Sequence, residues 1–201
     1  MSKLEPQYRG CIESWIYRDN DGFLKFLHSL CLTPNMVTTL SNVVGIGALW
    51  ALWNKQLAWF SVLFIFSFYL DCLDGKMARV YKMSSNWGGT YDNVSDIALA
   101  IALIIVVACK VKNKTHLIAA GIVVFLMWFC NSTYELCTIY KTQPKKLGAQ
   151  QRWSVNHTKF FCPYTTQEGL DRRLLYTKRW ESPMTVLAVV IIVVSLFSCD
   201  S

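Results

Sequence analysis

Five apolar runs, each close to the length of helix needed to cross a bilayer, dominate this chain and leave few ways to fold it. They cover roughly residues 36–53, 57–70, 92–109, 117–140 and 183–199, against the ~20 residues that a membrane-crossing helix requires. The polar triplet Asn54-Lys55-Gln56 joins the first two as a tight antiparallel hairpin would. The second run is short unless it continues through Asp71 and Asp74. Ahead of the first run, Ile12, Trp15, Ile16, Phe23, Phe26, Leu27 and Leu30 fall mostly at helical spacing among charged residues, which predicts an N-terminal amphipathic helix lying in the membrane interface. The fold class expected is therefore all-α, a polytopic integral-membrane helical bundle with five clear spans. Residues 1–33 form the interfacial segment and 34–201 the membrane domain, in which 141–182 reads as a polar loop.

Charge supports that reading and orients it. Only 16% of the 201 residues are charged, where a soluble domain carries about 25%. The 20 Lys and Arg against 13 Asp and Glu give a net charge of +7, compatible with nucleic acid, anionic lipid or membrane topology. Position decides among them. With a cytoplasmic N-terminus, sixteen of the twenty basic residues fall on the inner side, and Lys55, Lys110, Lys112 and Lys114 on the outer, as expected for short loops. Nucleic acid is dropped as a partner, and 141–182 becomes a cytoplasmic loop held on anionic headgroups or a lid over a phosphate-bearing substrate.

The eight cysteines have no CxxC spacing and sit mostly in or beside apolar runs, so small-hydrophobe roles are expected over zinc or a disulfide framework. No signal peptide is expected, since residues 1–33 lack a compact apolar core with a cleavage site. Of the Asn-x-Ser/Thr triplets at Asn93, Asn113, Asn131 and Asn156, only Asn113 would lie outside, in a loop too short for glycosylation.

Four of the thirteen acids are gathered within residues 71–96, where lipid should exclude them. Asp71 and Asp74 are an i,i+3 pair on one face of the second helix, and Asp92 and Asp96 an i,i+4 pair on one face of the third. Consecutive antiparallel helices bring both pairs to the same end. Their repulsion and lost solvation cost several kcal/mol unless cations neutralise them. Oxygen ligands without His or Cys select Mg²⁺, Mn²⁺ or Ca²⁺. Gly75 and Ala78 clear the face beside the acids for a ligand, although small residues also serve helix packing. Arg79 adds a cation whose fork suits a phosphate. Together these residues describe a diphosphate-and-metal site at the membrane surface.

The complete pattern, D-x2-D-G-x2-A-R-x8-G-x3-D-x3-D over residues 71–96, resembles the signature of the CDP-alcohol phosphatidyltransferase family at all eight fixed positions. A chance match at one start is expected about once in 10⁹ to 10¹⁰. Thr33-Pro34-Asn35 and the first hairpin are also similar to the family. The resemblance implies transfer of a phosphoalcohol group from a CDP-linked lipid or alcohol donor to an acceptor alcohol, with release of CMP. It implies that Asp71, Asp74, Asp92 and Asp96 serve the metal, Mg²⁺ or Mn²⁺, with Asp96 as general base, and that Gly75, Ala78, Arg79 and Gly88 bind CDP. Asn35 would either reach the donor's phosphates or cap the first membrane helix. The family has six spans, one more than counted here, is homodimeric, and would place the site at the cytoplasmic face, of endoplasmic reticulum in a eukaryote or plasma membrane in a bacterium.

The acceptor stays open at this stage. Inositol, glycerol 3-phosphate, serine and diacylglycerol are all family acceptors. Length is similar to that of the phosphatidylinositol and phosphatidylglycerophosphate synthases, whereas Asp74-Gly75-Lys76 and Ser84-Ser85 resemble choline and ethanolamine phosphotransferases. Lys76, Lys82, Arg152, Arg172 and Arg173 would favour an anionic acceptor. A cation-binding carrier is a reading from another class, but it accounts for neither the grouping of the acids at one face nor Gly75, Ala78 and Arg79. A catalytically silent binder of CDP-lipid is opposed by the intact acids.

Overall fold

The computed structural model describes residues 21–142, 167–177 and 182–199. Among these residues the chain is wholly helical: α1 (Asp21–Ser29), α2 (Pro34–Trp53), α3 (Leu57–Val80), α4 (Asn86–Lys110), α5 (Lys114–Thr142), α6 (Gln167–Thr177) and α7 (Ser182–Cys199). They belong to two compact units. The first holds α1 to α4, α5 as far as Ala120 and α7 from Val186, and the second runs from Gly121 to Thr185. The four acids, Asn35, Gly75, Ala78, Arg79 and Gly88 all lie in the first, whereas Arg172 and Arg173 lie in the second and Arg152 lies outside the described residues.

Helix ends there follow local rules. Thr33 is extended (φ −90°, ψ 159°) and its hydroxyl accepts the Met36 amide at 3.4 Å, while Pro34 fills the first helical position, where a missing N–H costs nothing. Asn35 is therefore not the cap of this helix, and that expectation is corrected. Ser85 caps α4 in the same way, accepting the Gly88 amide at 2.9 Å.

The C-terminal ends of α1, α2 and α3 share one device. Cys31, Lys55 and Lys82 stand in the left-handed region (φ 55°, 59° and 56°), and the following amide reaches back five residues: Leu32 to Leu27 O at 3.3 Å, Gln56 to Ala51 O at 2.9 Å and Met83 to Ala78 O at 2.9 Å. Such Schellman turns usually place glycine at that position. The turn at Lys82 sends the chain from the end of α3 directly to the start of α4.

Among the described residues the hairpin α2–α3 is the most extensively packed helix pair, and α2 also packs on α4. Ser41 Oγ donates to Ser67 O at 2.8 Å and Ser67 Oγ to Ser41 O at 2.9 Å, so the two buried hydroxyls satisfy each other's helix. Gly45 keeps the approach close: a Cβ there would lie 3.0 Å from both Ser67 Oγ and Leu99 Cδ1, the use of small residues expected where lipid gives no hydrophobic drive to pair helices.

One apolar cluster joins Leu52 of α2, Phe60 of α3, Leu103 and Val107 of α4, and Val193 and Phe197 of α7. It sits at the end of the unit opposite the acids. At the acidic end a smaller cluster packs Leu24 and Leu27 of α1 on Val37, Leu70, Leu73 and Met77, while Phe26 and Leu30 stay about half exposed. That two-sided burial is what an interfacial helix needs, one stripe on protein and one toward acyl chains. The part of the expected N-terminal segment before residue 21 lies outside the described residues.

Val43, Ile46, Trp50, Val62, Phe66, Ile97, Ile101 and Ile104 are exposed along α2, α3 and α4, a surface suited to lipid. Among the described residues three helices are long and apolar enough to cross a membrane: Pro34–Trp53, Leu57–Val80 and Trp87–Lys110. The stretches Lys114–Met127 and Pro183–Cys199 are apolar but shorter. All five expected runs are thus helical, and α3 continues through Asp71 and Asp74 as its length required. The polar stretch 141–182 is not wholly a loop, because α6 occupies residues 167–177; at 11 residues, with Glu168, Asp171, Arg172 and Arg173, it is too short and polar to be a further span. In the second unit Cys137 is disulfide-bonded, contrary to the expectation for that cysteine, whereas Cys31, Cys109 and Cys199 are free.

Candidate metal and diphosphate site

Three chain ends meet at the site: the start of α2, the last turns of α3 and the start of α4. Asp71 and Asp74 come from α3 and Asp92 from α4, and one carboxylate oxygen from each lies within 4.8 Å of the other two. Asp74 is 5% exposed, and Asp71 and Asp92 are half-buried. At an effective dielectric of 20, two unit charges at that spacing repel by about 3 kcal/mol. A fully ionised trio therefore calls for a cation.

The donor set fits a hard divalent ion. All three ligands are carboxylates, and Asp92 Oδ1 is buried without a hydrogen-bond partner among the described residues, which leaves a lone pair to be used. Asp74 Oδ2 accepts a hydrogen bond from Thr38 Oγ1, so this ligand is braced from α2. Oxygen-only coordination of this kind suits Mg²⁺ or Mn²⁺.

Beside the trio lies a pocket of about 170 Å³ lined by Pro34, Asn35 and Thr38 of α2, Asp74, Gly75, Ala78 and Arg79 of α3, the linker residues Met83, Ser84 and Ser85, and Gly88, Gly89 and Asp92 of α4. Drug-sized ligand pockets are ~300 Å³ or more, so this one takes a phosphate-bearing head and not a whole lipid. Its walls differ in charge. Asp74 and Asp92 bound one side, while the N-termini of α2 and α4 reach it with their first residues, and helix N-termini favour anions. The Arg79 guanidinium lies against Gly75, 3.5 Å from where a Cβ would stand. Gly88 allows a close approach: a Cβ there would be 2.7 Å from Asn35 Oδ1 and 2.9 Å from Ser85 Oγ, so both side chains would have to shift.

Asn35, Asp74, Gly75, Ala78, Arg79, Gly88 and Asp92 thus line one pocket, with Asp71 completing the carboxylate trio. Asp96 is in neither group. It is exposed, one turn along α4 from Asp92. Lys76, expected to help attract an anionic acceptor, is 4% exposed and offers no surface charge; Lys82 is exposed on the linker. Sequence reasoning missed Pro34, Thr38, Met83, Ser84, Ser85 and Gly89 as pocket residues. Thr38 carried a usable signal, a polar side chain inside an apolar run one turn past Asn35.

A bundle of apolar, membrane-length helices with a carboxylate trio that could hold a metal ion, beside a pocket at two helix N-termini, is the class that fold and site define. A family model described as CDP-alcohol phosphatidyltransferase matches residues 31–162, well over half of the chain, and the chain belongs to that family. It is also similar to a "CDP-diacylglycerol--glycerol-3-phosphate 3-phosphatidyltransferase" of Cereibacter sphaeroides, 28% identical over 107 residues that cover 51% of this chain and 48% of the relative. The chain therefore spans about half the length of the curated relative it matches. No solved structure matches significantly.

Proposed function

We propose that this chain transfers a phosphatidyl group from CDP-diacylglycerol to glycerol 3-phosphate, releasing CMP. The observation that carries the proposal is the carboxylate trio facing a pocket lined by Arg79 and two helix N-termini, an arrangement suited to a diphosphate with a divalent ion on it. Donor and acceptor are taken from the named activity of the relative, and the exposed Lys82 suits an anionic acceptor.

In this reading Asp71, Asp74 and Asp92 hold Mg²⁺ or Mn²⁺, and Asp96 is a further candidate. When bound, the ion supplies positive charge against that developing on the leaving CMP. Arg79, Asn35 and the amides at the starts of α2 and α4 bind the diphosphate, and Gly75, Ala78 and Gly88 leave it room. Asp96, exposed beside the site, takes the proton of the acceptor hydroxyl. The acceptor oxygen forms a bond to the phosphatidyl phosphorus, the bridging P–O bond breaks, and its electron pair leaves with CMP. A cytoplasmic site and a homodimer belong to the same reading, supported by the basic residues of the inner segments and by the resemblance.

Lipid mass spectrometry after expression in hosts lacking each candidate activity tests the acceptor. Phosphatidylglycerol phosphate is the expected product. Phosphatidylinositol, phosphatidylserine or phosphatidylcholine instead would replace the acceptor, and no lipid change with any host would refute the reading. Asp96→Asn should abolish turnover while leaving Mn²⁺ binding intact; wild-type turnover would remove Asp96 as the base.

A further inference from the structure

We propose that Thr38 is a positioning residue for the metal ligand Asp74, an inference that rests on the metal-dependent reading above. Thr38 stands one turn into α2 and is 4% exposed. Its hydroxyl is within reach of two acceptors, Pro34 O at 3.1 Å and Asp74 Oδ2. A hydroxyl has one proton to give. The Pro34 carbonyl is already the acceptor for the Thr38 amide in the helix ladder, whereas Asp74 Oδ2 is buried and is the nearer of the two acceptors, so the proton goes to Asp74.

That bond does two things for the site. It occupies one lone pair of Asp74 Oδ2 and fixes the carboxylate plane, leaving the other lone pairs for a metal. It also ties α2, whose first turn carries Asn35 into the pocket, to the helix that bears two of the three ligands. A partner of this kind on a ligating carboxylate is worth about 10–100-fold in metal affinity or activity. Thr39, the next residue, is exposed and contacts Tyr91 Oη at 3.1 Å; it does not reach the trio and provides a neighbouring control.

The test is Mn²⁺ binding to the full chain in detergent, read from the free-ion electron paramagnetic resonance signal without substrates, alongside CMP release as a function of Mn²⁺ concentration. Thr38→Val, which keeps shape and removes the hydroxyl, should weaken Mn²⁺ binding about 10–100-fold and raise the Mn²⁺ needed for half-maximal CMP release by the same factor. Thr38→Ser should lie within about threefold of wild type, and Thr39→Val should match it. If Thr38→Val does not purify as folded protein, Thr38→Ala against Thr38→Ser makes the same comparison. Wild-type Mn²⁺ binding in the variant without the hydroxyl, or equal loss in Thr38→Ser, would overturn the proposal, as would a wild type that binds no Mn²⁺. A wild type that binds Mn²⁺ but releases no CMP would refute the proposed reaction alone, and the role of Thr38 would then be decided by binding.

Discussion

Gly88→Ala tests the account of the pocket wall most severely, because the usual expectation for the substitution has the opposite sign. In an exposed helix position, glycine to alanine stabilises by up to ~1 kcal/mol. At Gly88 the added methyl would stand 2.7 Å from Asn35 Oδ1 and 2.9 Å from Ser85 Oγ, separations that Cβ atoms do not tolerate. Both side chains must shift. Moving Ser85 weakens the N-cap of α4, worth about 0.5–2 kcal/mol; moving Asn35 puts it off-rotamer at about 0.5–1.5 kcal/mol. Set against the helix-propensity gain of up to ~1 kcal/mol, the expected result is a net loss of about 1 kcal/mol of stability. The KM for the CDP donor should also rise at least tenfold, since displacement of a positioning group by ~1 Å costs up to about 100-fold. Gly89→Ala is the paired control: a Cβ there meets nothing within 4 Å, so stability should hold or increase. Tm in detergent and CMP release across donor concentrations measure both. A Gly88→Ala protein with wild-type Tm and donor KM would refute the reasoning.

Asp71→Asn, Asp74→Asn and Asp92→Asn should each lower CMP release by at least 100-fold while leaving metal-free Tm unchanged or higher, because each removes like-charge repulsion; the Tm increment on adding Mn²⁺ should shrink in all three. Gly45→Val should cost about 1–3 kcal/mol through the contacts with Leu99 and Ser67, read as a lower Tm with unchanged activity per folded molecule. Ser41→Ala and Ser67→Ala should each cost about 0.6 kcal/mol, and together less than their sum, because removing either hydroxyl also removes their mutual contact at 3.3 Å; strict additivity in a double-mutant cycle would count against that coupling. Chelation by EDTA should stop CMP release, and added Mn²⁺ should restore it.

The parts of the fold legible in the sequence were those set by short-range pattern. Apolar run lengths located the five apolar helices, and the need to complete the second carried α3 through Asp71 and Asp74. The i,i+3 and i,i+4 spacings, with antiparallel connection, brought Asp71, Asp74 and Asp92 to one end. What escaped notice depends on long-range contact or on side chains that break local preference. The Thr38–Asp74 bond joins residues 36 apart, and nothing in the local pattern of α2 marks its partner. Burial of Lys76 is set by tertiary packing, which no charge count reveals. The helix ends at Cys31 and Lys82 were hidden because these residues occupy a conformation that glycine normally announces, whereas the polar triplet Asn54-Lys55-Gln56 marked the turn at Lys55. Helix α6 escaped because its residues are polar and lack an apolar run, and Asn35 was offered as a cap because Asn is a good one, although Thr33 two residues earlier holds that role.

The central claim is tested most directly by CMP release from CDP-diacylglycerol by the purified chain in lipid with Mn²⁺, with and without glycerol 3-phosphate. Acceptor-dependent release of CMP, matched mole for mole by phosphatidylglycerol phosphate, is the predicted result. Folded protein that binds Mn²⁺ but releases no CMP with glycerol 3-phosphate, inositol, serine, choline or ethanolamine pairs of donor and acceptor would contradict it.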